Sequence, residues 1–376
     1  MAHLSRRAFV QSASAAAALT ASSGLASAAT SHHRVLIGSG GTEGILAYDW
    51  DAATGTLTPA GAVATLDTVD WLTTSPDGKY LFAACEVDSF NGKPTGEVAS
   101  FAFDGDKLEP LSTENSAAKG TCHCAIDATG RVLLSTDYGG GSAASFLVTE
   151  GKLTPVWTEH YTGHGPNAAR QEAAHAHFAS FSPDNRFAYI NDLGSDAIHI
   201  YRLDTATAQL TPAGTYHAAP GAGPRTLHFH PNGHTAYSMN ELVSVVDVLE
   251  WNKADGSFTR QTSIELLPAG YSGPTRGCDT VITRDGRFVY FANRDNDFLY
   301  SFKANPKTGA LTPLKRSNCG GKIPRSFTLD PTERWVLVAN QDSNHISVFA
   351  RDPKTGLLAE TGKDFPASAP MRILFV

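Results

Sequence analysis

The chain has 376 residues, among them 34 glycines and 20 prolines but three methionines, and a formal net charge of −7. That acidic balance argues against nucleic acid or anionic membranes as partners, and no run after the N-terminal segment approaches the ~18 apolar residues of a membrane span. Without a long apolar stripe at helical spacing, so many turn-forming residues point to short strands, and β-rings of this length form one domain.

In chain order, Ser5-Arg6-Arg7-Ala8-Phe9-Val10 is a twin-arginine pattern. A weakly apolar Ala/Ser run follows and ends on Ala26-Ser27-Ala28. Residues 1–28 therefore read as a removable export signal, handled by the twin-arginine machinery and leading to the periplasm, and residues 29–376 read as the domain. Loss of Arg6 and Arg7 leaves 28 basic against 37 acidic residues, near −9. Five cysteines is an odd number (Cys85, Cys122, Cys124, Cys278, Cys319), and Cys122-x-Cys124 is no zinc spacing by itself, so small buried residues are expected there.

Beyond this, two units alternate. One is a hairpin of the form Gly-x-Leu-Thr-Pro, as TGTLTPAG (54–61), GDKLEPLS (105–112), EGKLTPVW (150–157), TAQLTPAG (207–214), GSFTRQT (256–262), TGALTPLK (308–315) and TGLLAETG (355–362). The other is strand–turn–strand, as in HFASFSPDNRFAYINDLG from His177, with turns at Gly78, Gly130, Asn185, Gly233, Gly286 and Glu333, spaced 47 to 55 residues apart. A unit of about 50 residues is the size of a four-stranded blade. Six units are whole. The seventh is split between 371–376 at the C-terminus and 34–39, 44–49 and 56–60 at the start. The reading is an all-β, seven-bladed β-propeller whose C-terminal strand joins the N-terminal blade and leaves no open sheet edge.

Propeller topology brings the start of each inner strand and the end of the next strand to one face of the central channel. Reading those positions gives His123, His177, Arg225, Arg276, Arg325 and Arg372, then Glu86, Asp137, Asp192, Glu241, Arg294 and Gln341. One mouth thus carries cations with carboxylates interleaved, while the other shows ordinary turn residues. Charges at strand ends also pair between blades. A convergent set in a partly dry mouth is nevertheless costly without a ligand or a pairing network. There is no Gly-x-Ser-x-Gly elbow, no His-Glu-x-x-His and no dinucleotide fingerprint. Arginines aimed at a developing oxyanion, with a Glu or His to activate water, suit ester or lactone hydrolysis.

The runs GPNAARQEAAHAHF, NDLGSD, GAGPRTLHFHP, NEL, ANRD and PRSFTLDP, in that order, resemble the seven-bladed propeller lactonases, from about Val35 to the C-terminus. The resemblance implies a catalytic set of His177, Arg225, Glu241 and Arg294, and hydrolysis of a sugar δ-lactone without metal or other cofactor. His123, Asp137, Gln171 and Asp192 would hold sugar hydroxyls or orient the base, which is Glu241 or His177. His175, Arg276 and Arg325 complete the substrate-binding set. Where the family has Asn-Tyr-Gly-Gly-Gly, this chain has Asp137-Tyr138-Gly139-Gly140-Gly141, a negative charge unfavourable to phosphate. With the export signal, this favours an unphosphorylated aldonolactone such as glucono-δ-lactone over 6-phosphogluconolactone. Two other readings are a non-catalytic exported propeller that binds an anion or a protein, and a metal- or quinone-dependent oxidase using His123, His175 and His177.

Overall fold

The computed structural model describes residues 32–376. The expected export signal, residues 1–28, lies outside them. Seven four-stranded antiparallel sheets stand around a channel. In blade one the inner strand is Pro370–Phe375, followed outward by His32–Ser39, Ile45–Asp51 and Thr56–Ala64, as the split seventh unit requires. Blades two to seven run in chain order from the inside out. Their inner strands are Val69–Thr74, Thr121–Ile126, Ala176–Phe181, Pro224–Phe229, Gly277–Ile282 and Pro324–Leu329.

Every blade is buried on both faces, so the core is seven wedges rather than one mass. Phe82, Leu133 and Phe146 pack between blades two and three, and Tyr189, Leu227 and Trp251 between four and five. The wedge between blades seven and one joins Trp50 and Ile37 to Leu337, Ile346 and Ile373, which closes the ring with the same apolar packing as its neighbours. All five cysteines are free and buried within this framework.

The Leu-Thr-Pro hairpins supply the outermost strands. Pro59, Pro110, Pro155, Pro212 and Pro313 each sit next to a register shift there. Proline offers no N–H to a neighbour and a bulge bends the edge, so these strands are blunted against pairing with another molecule.

The inner strands carry a second set of irregularities. In all seven blades the ladder to the next strand skips the second residue of the inner strand. The residues skipped at this position are Asp70, Cys122, His177, Arg225, Cys278, Arg325 and Met371, and in blade six Asp279 is skipped as well. A bulge of this kind leaves one residue outside the ladder and re-aims its side chain.

Candidate active site

All seven bulged residues line one small enclosed chamber in the channel, of ≈ 20 Å³. Its lining also includes the third residues of five inner strands, Trp71, His123, Phe178, Thr226 and Asp279. His123 packs between Trp71 and Phe178, with ring centroids 4.4 and 3.9 Å away. A chamber of that size holds about one water molecule, so a sugar-sized ligand belongs in the mouth above it.

In blades two to seven the mouth is built by the residues one past the end of the second strand: Glu86, Tyr138, Leu193, Glu241, Arg294 and Gln341. Glu241 is fully buried at its centre. Its Oε2 accepts from Arg225 Nη1 at 2.6 Å and lies 2.8 Å from Arg294 Nη2, and its Oε1 accepts from Arg170 Nη2 at 2.7 Å. Burial alone would raise this carboxyl's pKa. Arg294 and Arg225, then His177 and Arg170, overcome it and hold Glu241 well below the usual carboxylate range. Three guanidiniums around one carboxylate leave Arg294 under-compensated: burial, offset in part by Glu241 and reinforced by Arg225, pushes its pKa down to about 10. The Nε of Arg294 is buried and has no hydrogen-bond partner.

His177 lies beside this cluster, its Nε2 accepting from Arg225 Nη1 and 3.9 Å from Glu241 Oε2. Burial and then Arg225 hold the imidazole well below its ordinary pKa, so it is neutral with its lone pair on Nε2. Tyr138 lies edge-on to His177 at 5.3 Å, stacks on His175 at 4.5 Å, and accepts from Arg170 at 3.1 Å. The four residues His177, Arg225, Glu241 and Arg294 therefore meet at one point, contributed by blades four, five and six.

The substrate-binding set divides. Arg325 is in the ring, with its fork on Asp70 at 3.2 and 2.6 Å. His175 and Arg276 stand at the rim; Arg276 is paired with Asp295 at 2.6 Å. Asp137 and Asp192 do not face the mouth. They are the last residues of their strands, and the mouth positions in those blades belong to Tyr138 and Leu193, so a slip of one residue turns the carboxylates away. Asp137 accepts from Thr121, Ser142 and the Ala118 N–H, and Asp192 from the His175 and Gly194 N–H groups and Ser195. Gln171 is also fully buried and pins its own loop: its Nε2 donates to Leu193 O and Asp196, and its Oε1 accepts from Asn167 N–H. These three are braces. The negative charge of Asp137 therefore does not reach the mouth, against the expectation drawn from the Asp-Tyr-Gly-Gly-Gly departure.

His123 and Arg372 are third residues of their inner strands and sit one layer below the mouth, correcting their placement in one ring with His177. The opposite mouth is likewise more than turns: a cavity of ≈ 520 Å³ there is lined by Trp71, His123, Phe178, His228 and Arg372. His123, His175 and His177 do not converge, and among the described residues no group of three or more His, Cys, Asp or Glu is arranged to hold a metal ion. Sequence reading missed Arg170, Tyr138 and Asp70. The Tyr138 signal was available in the same Asp-Tyr-Gly-Gly-Gly run, and Asp70 occupies in blade two the position that His177 and Arg225 occupy in theirs.

Fold and site together define a seven-bladed propeller with a buried arginine–glutamate–histidine centre in one mouth of its channel. The chain belongs to the lactonase family of seven-bladed β-propellers, whose model matches residues 28–375. It is 33% identical over 298 residues to the 6-phosphogluconolactonase of Bacillus subtilis, covering 78% of this chain and 83% of that one. It is 31% identical over 301 residues to the 6-phosphogluconolactonase of Formosa agariphila, covering 77% and 83%. The solved structure of the Pseudomonas aeruginosa periplasmic gluconolactonase PpgL superposes with a TM-score of 0.86 at 31% identity, over 92% of this chain and 99% of that one. The protein is thus a lactonase, an enzyme that opens a cyclic ester with water.

Proposed function

We propose that the substrate is a sugar δ-lactone without a phosphate, such as glucono-δ-lactone, and the product its aldonic acid. The observation that carries this reading is the convergence of two buried guanidiniums, Arg225 and Arg294, on the single oxygen Glu241 Oε2. Donors preset around one negatively charged oxygen are what a carbonyl needs as it becomes an oxyanion. Arg294 has a buried Nε–H still to give. Five arginines here (Arg170, Arg225, Arg276, Arg294, Arg325) share three carboxylates, Glu241, Asp295 and Asp70, so the choice of a lactone without phosphate rests on the export pattern and on the likeness to a periplasmic gluconolactonase.

Of the two candidate bases, His177 suits the role better. Both are weakened as bases, Glu241 by its arginines and His177 by burial and then Arg225, but His177 regains basicity when Arg225 turns to the substrate carbonyl, whereas Glu241 stays held by Arg170. Glu241 then acts by fixing the two oxyanion donors. Arg325 and the rim residues His175 and Arg276 are left to meet the sugar hydroxyls. We also propose that residues 1–28 are a twin-arginine signal and that the enzyme works in the periplasm, without metal. The twin-arginine pattern and the likeness to a periplasmic gluconolactonase support the export and the periplasmic setting.

The test is hydrolysis of glucono-δ-lactone above its spontaneous rate, with chelator present, beside 6-phosphogluconolactone. Replacing Arg225 by Ala should lower turnover on the order of 10²–10³-fold, the loss of one oxyanion donor. Unchanged turnover in a folded Arg225→Ala variant removes Arg225 from the mechanism, and preference for the phosphorylated lactone overturns the substrate assignment.

A further inference from the structure

The mouth holds a second glutamate in the position that Glu241 occupies three blades away. Glu86 is one residue past the second strand of blade two, Tyr80–Cys85. Its surroundings are the reverse of those of Glu241. About a third of its side chain (32%) is open, against none of Glu241, and among the described residues its carboxyl makes no hydrogen bond. The nearest cation, Arg325 Nη2, stands 3.6 Å away and gives its fork to Asp70 instead.

We propose that Glu86 is the catalytic proton donor to the ring oxygen that leaves when the lactone opens. This rests on the lactone reading above and adds a role that none of its four residues fills. His177 takes a proton from water, and the resulting hydroxide forms a bond to the carbonyl carbon. The carbonyl electron pair moves to oxygen, between Arg225 and Arg294. When the carbonyl re-forms, the bond from carbon to ring oxygen breaks, and that oxygen takes the proton of Glu86. The proton on His177 returns through solvent to Glu86, so the net change is one water added. An alkoxide is a poor leaving group, so this step needs an acid.

The groups facing Glu86 are Asp70 from its own blade, Arg325 from blade seven, Arg225 from five, Arg294 from six and, more remotely, Cys122 from three. Burial and then Asp70, against the pull of the three arginines, push its pKa up to about 7. One mouth thus contains one glutamate locked ionised and one that still carries a proton near neutrality, the division of labour by which two like carboxyls take different roles.

The experiment compares wild type with Glu86→Gln and Glu86→Asp on glucono-δ-lactone and on dihydrocoumarin, an aryl lactone whose phenolate leaves without a proton. On the sugar lactone, Glu86→Gln should lose kcat on the order of 10²-fold. The wild-type kcat should fall as pH rises through about 7, because the acid form is titrated away. That limb should vanish in Glu86→Gln and persist, with part of the rate, in Glu86→Asp. Dihydrocoumarin turnover, where wild type supports it, should be nearly spared. An unchanged kcat on the sugar lactone, a limb that survives in Glu86→Gln, or equal losses on both lactones each overturn the assignment. If wild type opens neither lactone above background, the lactone reading fails and this proposal with it; wild-type activity with an indifferent Glu86→Gln sinks this proposal alone.

Discussion

Replacing Glu241 by Gln tests whether one carboxylate holds the centre together. The substitution keeps the shape and removes the charge, leaving Arg225 and Arg294, with side chains only 7% and 6% exposed, without their shared counter-ion. Breaking a buried pair by removing one partner costs ~3–5 kcal/mol, because an uncompensated charge stays buried. Unfolding entropy of ~2.1 cal/mol/K per residue gives ~0.7 kcal/mol/K for a domain of roughly 350 residues, so Tm should fall by about 4–7 °C. Because the folded pKa of Glu241 is depressed, its contribution is fully present above the unfolded value near 4.3 and is lost as pH falls through the folded one. The gap between wild type and variant should therefore close in strong acid. Adding Arg294→Met to Glu241→Gln should recover part of the loss, since it removes one of the stranded cations. Calorimetry on the four proteins of that cycle decides the matter. A Tm within a degree of wild type, or strictly additive effects in the double variant, would falsify the picture of one carboxylate neutralising several guanidiniums.

Glu86→Gln should stabilise the protein above neutrality. The folded pKa of about 7 lies above the unfolded one, so wild type loses stability as pH rises between the two. Discounted for the exposed part of the side chain, the gain is about 1–2 kcal/mol at pH 8 and nothing near pH 4, read as Tm against pH; a pH-independent difference contradicts it. Asp137→Asn, buried under Thr121, Ser142 and Ala118, should leave kcat and KM for either lactone within about twofold, since it removes no group from the mouth. A marked gain on the phosphorylated lactone would return Asp137 to the site. Deleting residues 370–376 removes the inner strand of blade one with buried Met371 and Ile373, exposing the Leu337 and Ile346 wedge and a new sheet edge. Aggregation on expression is expected, and a monomeric soluble product argues against ring closure by this strand.

The architecture was readable because it is written seven times. Turns at near-constant spacing, Leu-Thr-Pro hairpins and a unit divided between the chain's two ends lead to one closed ring. What could not be read is the bulge. Alternation tells which residues share a face only while every residue is counted in the ladder, and nothing in Thr121-Cys122-His123 or Ala176-His177-Phe178 announces that the middle residue is skipped. The same one-residue ambiguity made Asp137 and Asp192 stand in for Tyr138 and Leu193, and put His123 level with His177. Arg170 comes from a loop, where no periodicity applies, and its aim at Glu241 depends on Gln171 fastening that loop to Leu193 and Asp196.

The seven bulges also bear on how such a molecule changes over evolutionary time. A residue left out of the ladder can be exchanged without altering any strand pairing, so each blade offers a position where chemistry varies while the backbone ladder is kept, provided buried partners such as Arg225 with Glu241 or Asp70 with Arg325 change together. Here those positions spell Asp, Cys, His, Arg, Cys, Arg, Met around the ring. Other seven-letter spellings on the same backbone would present other charges to the same chamber, making these the sites to randomise first in a search for new activities on this frame.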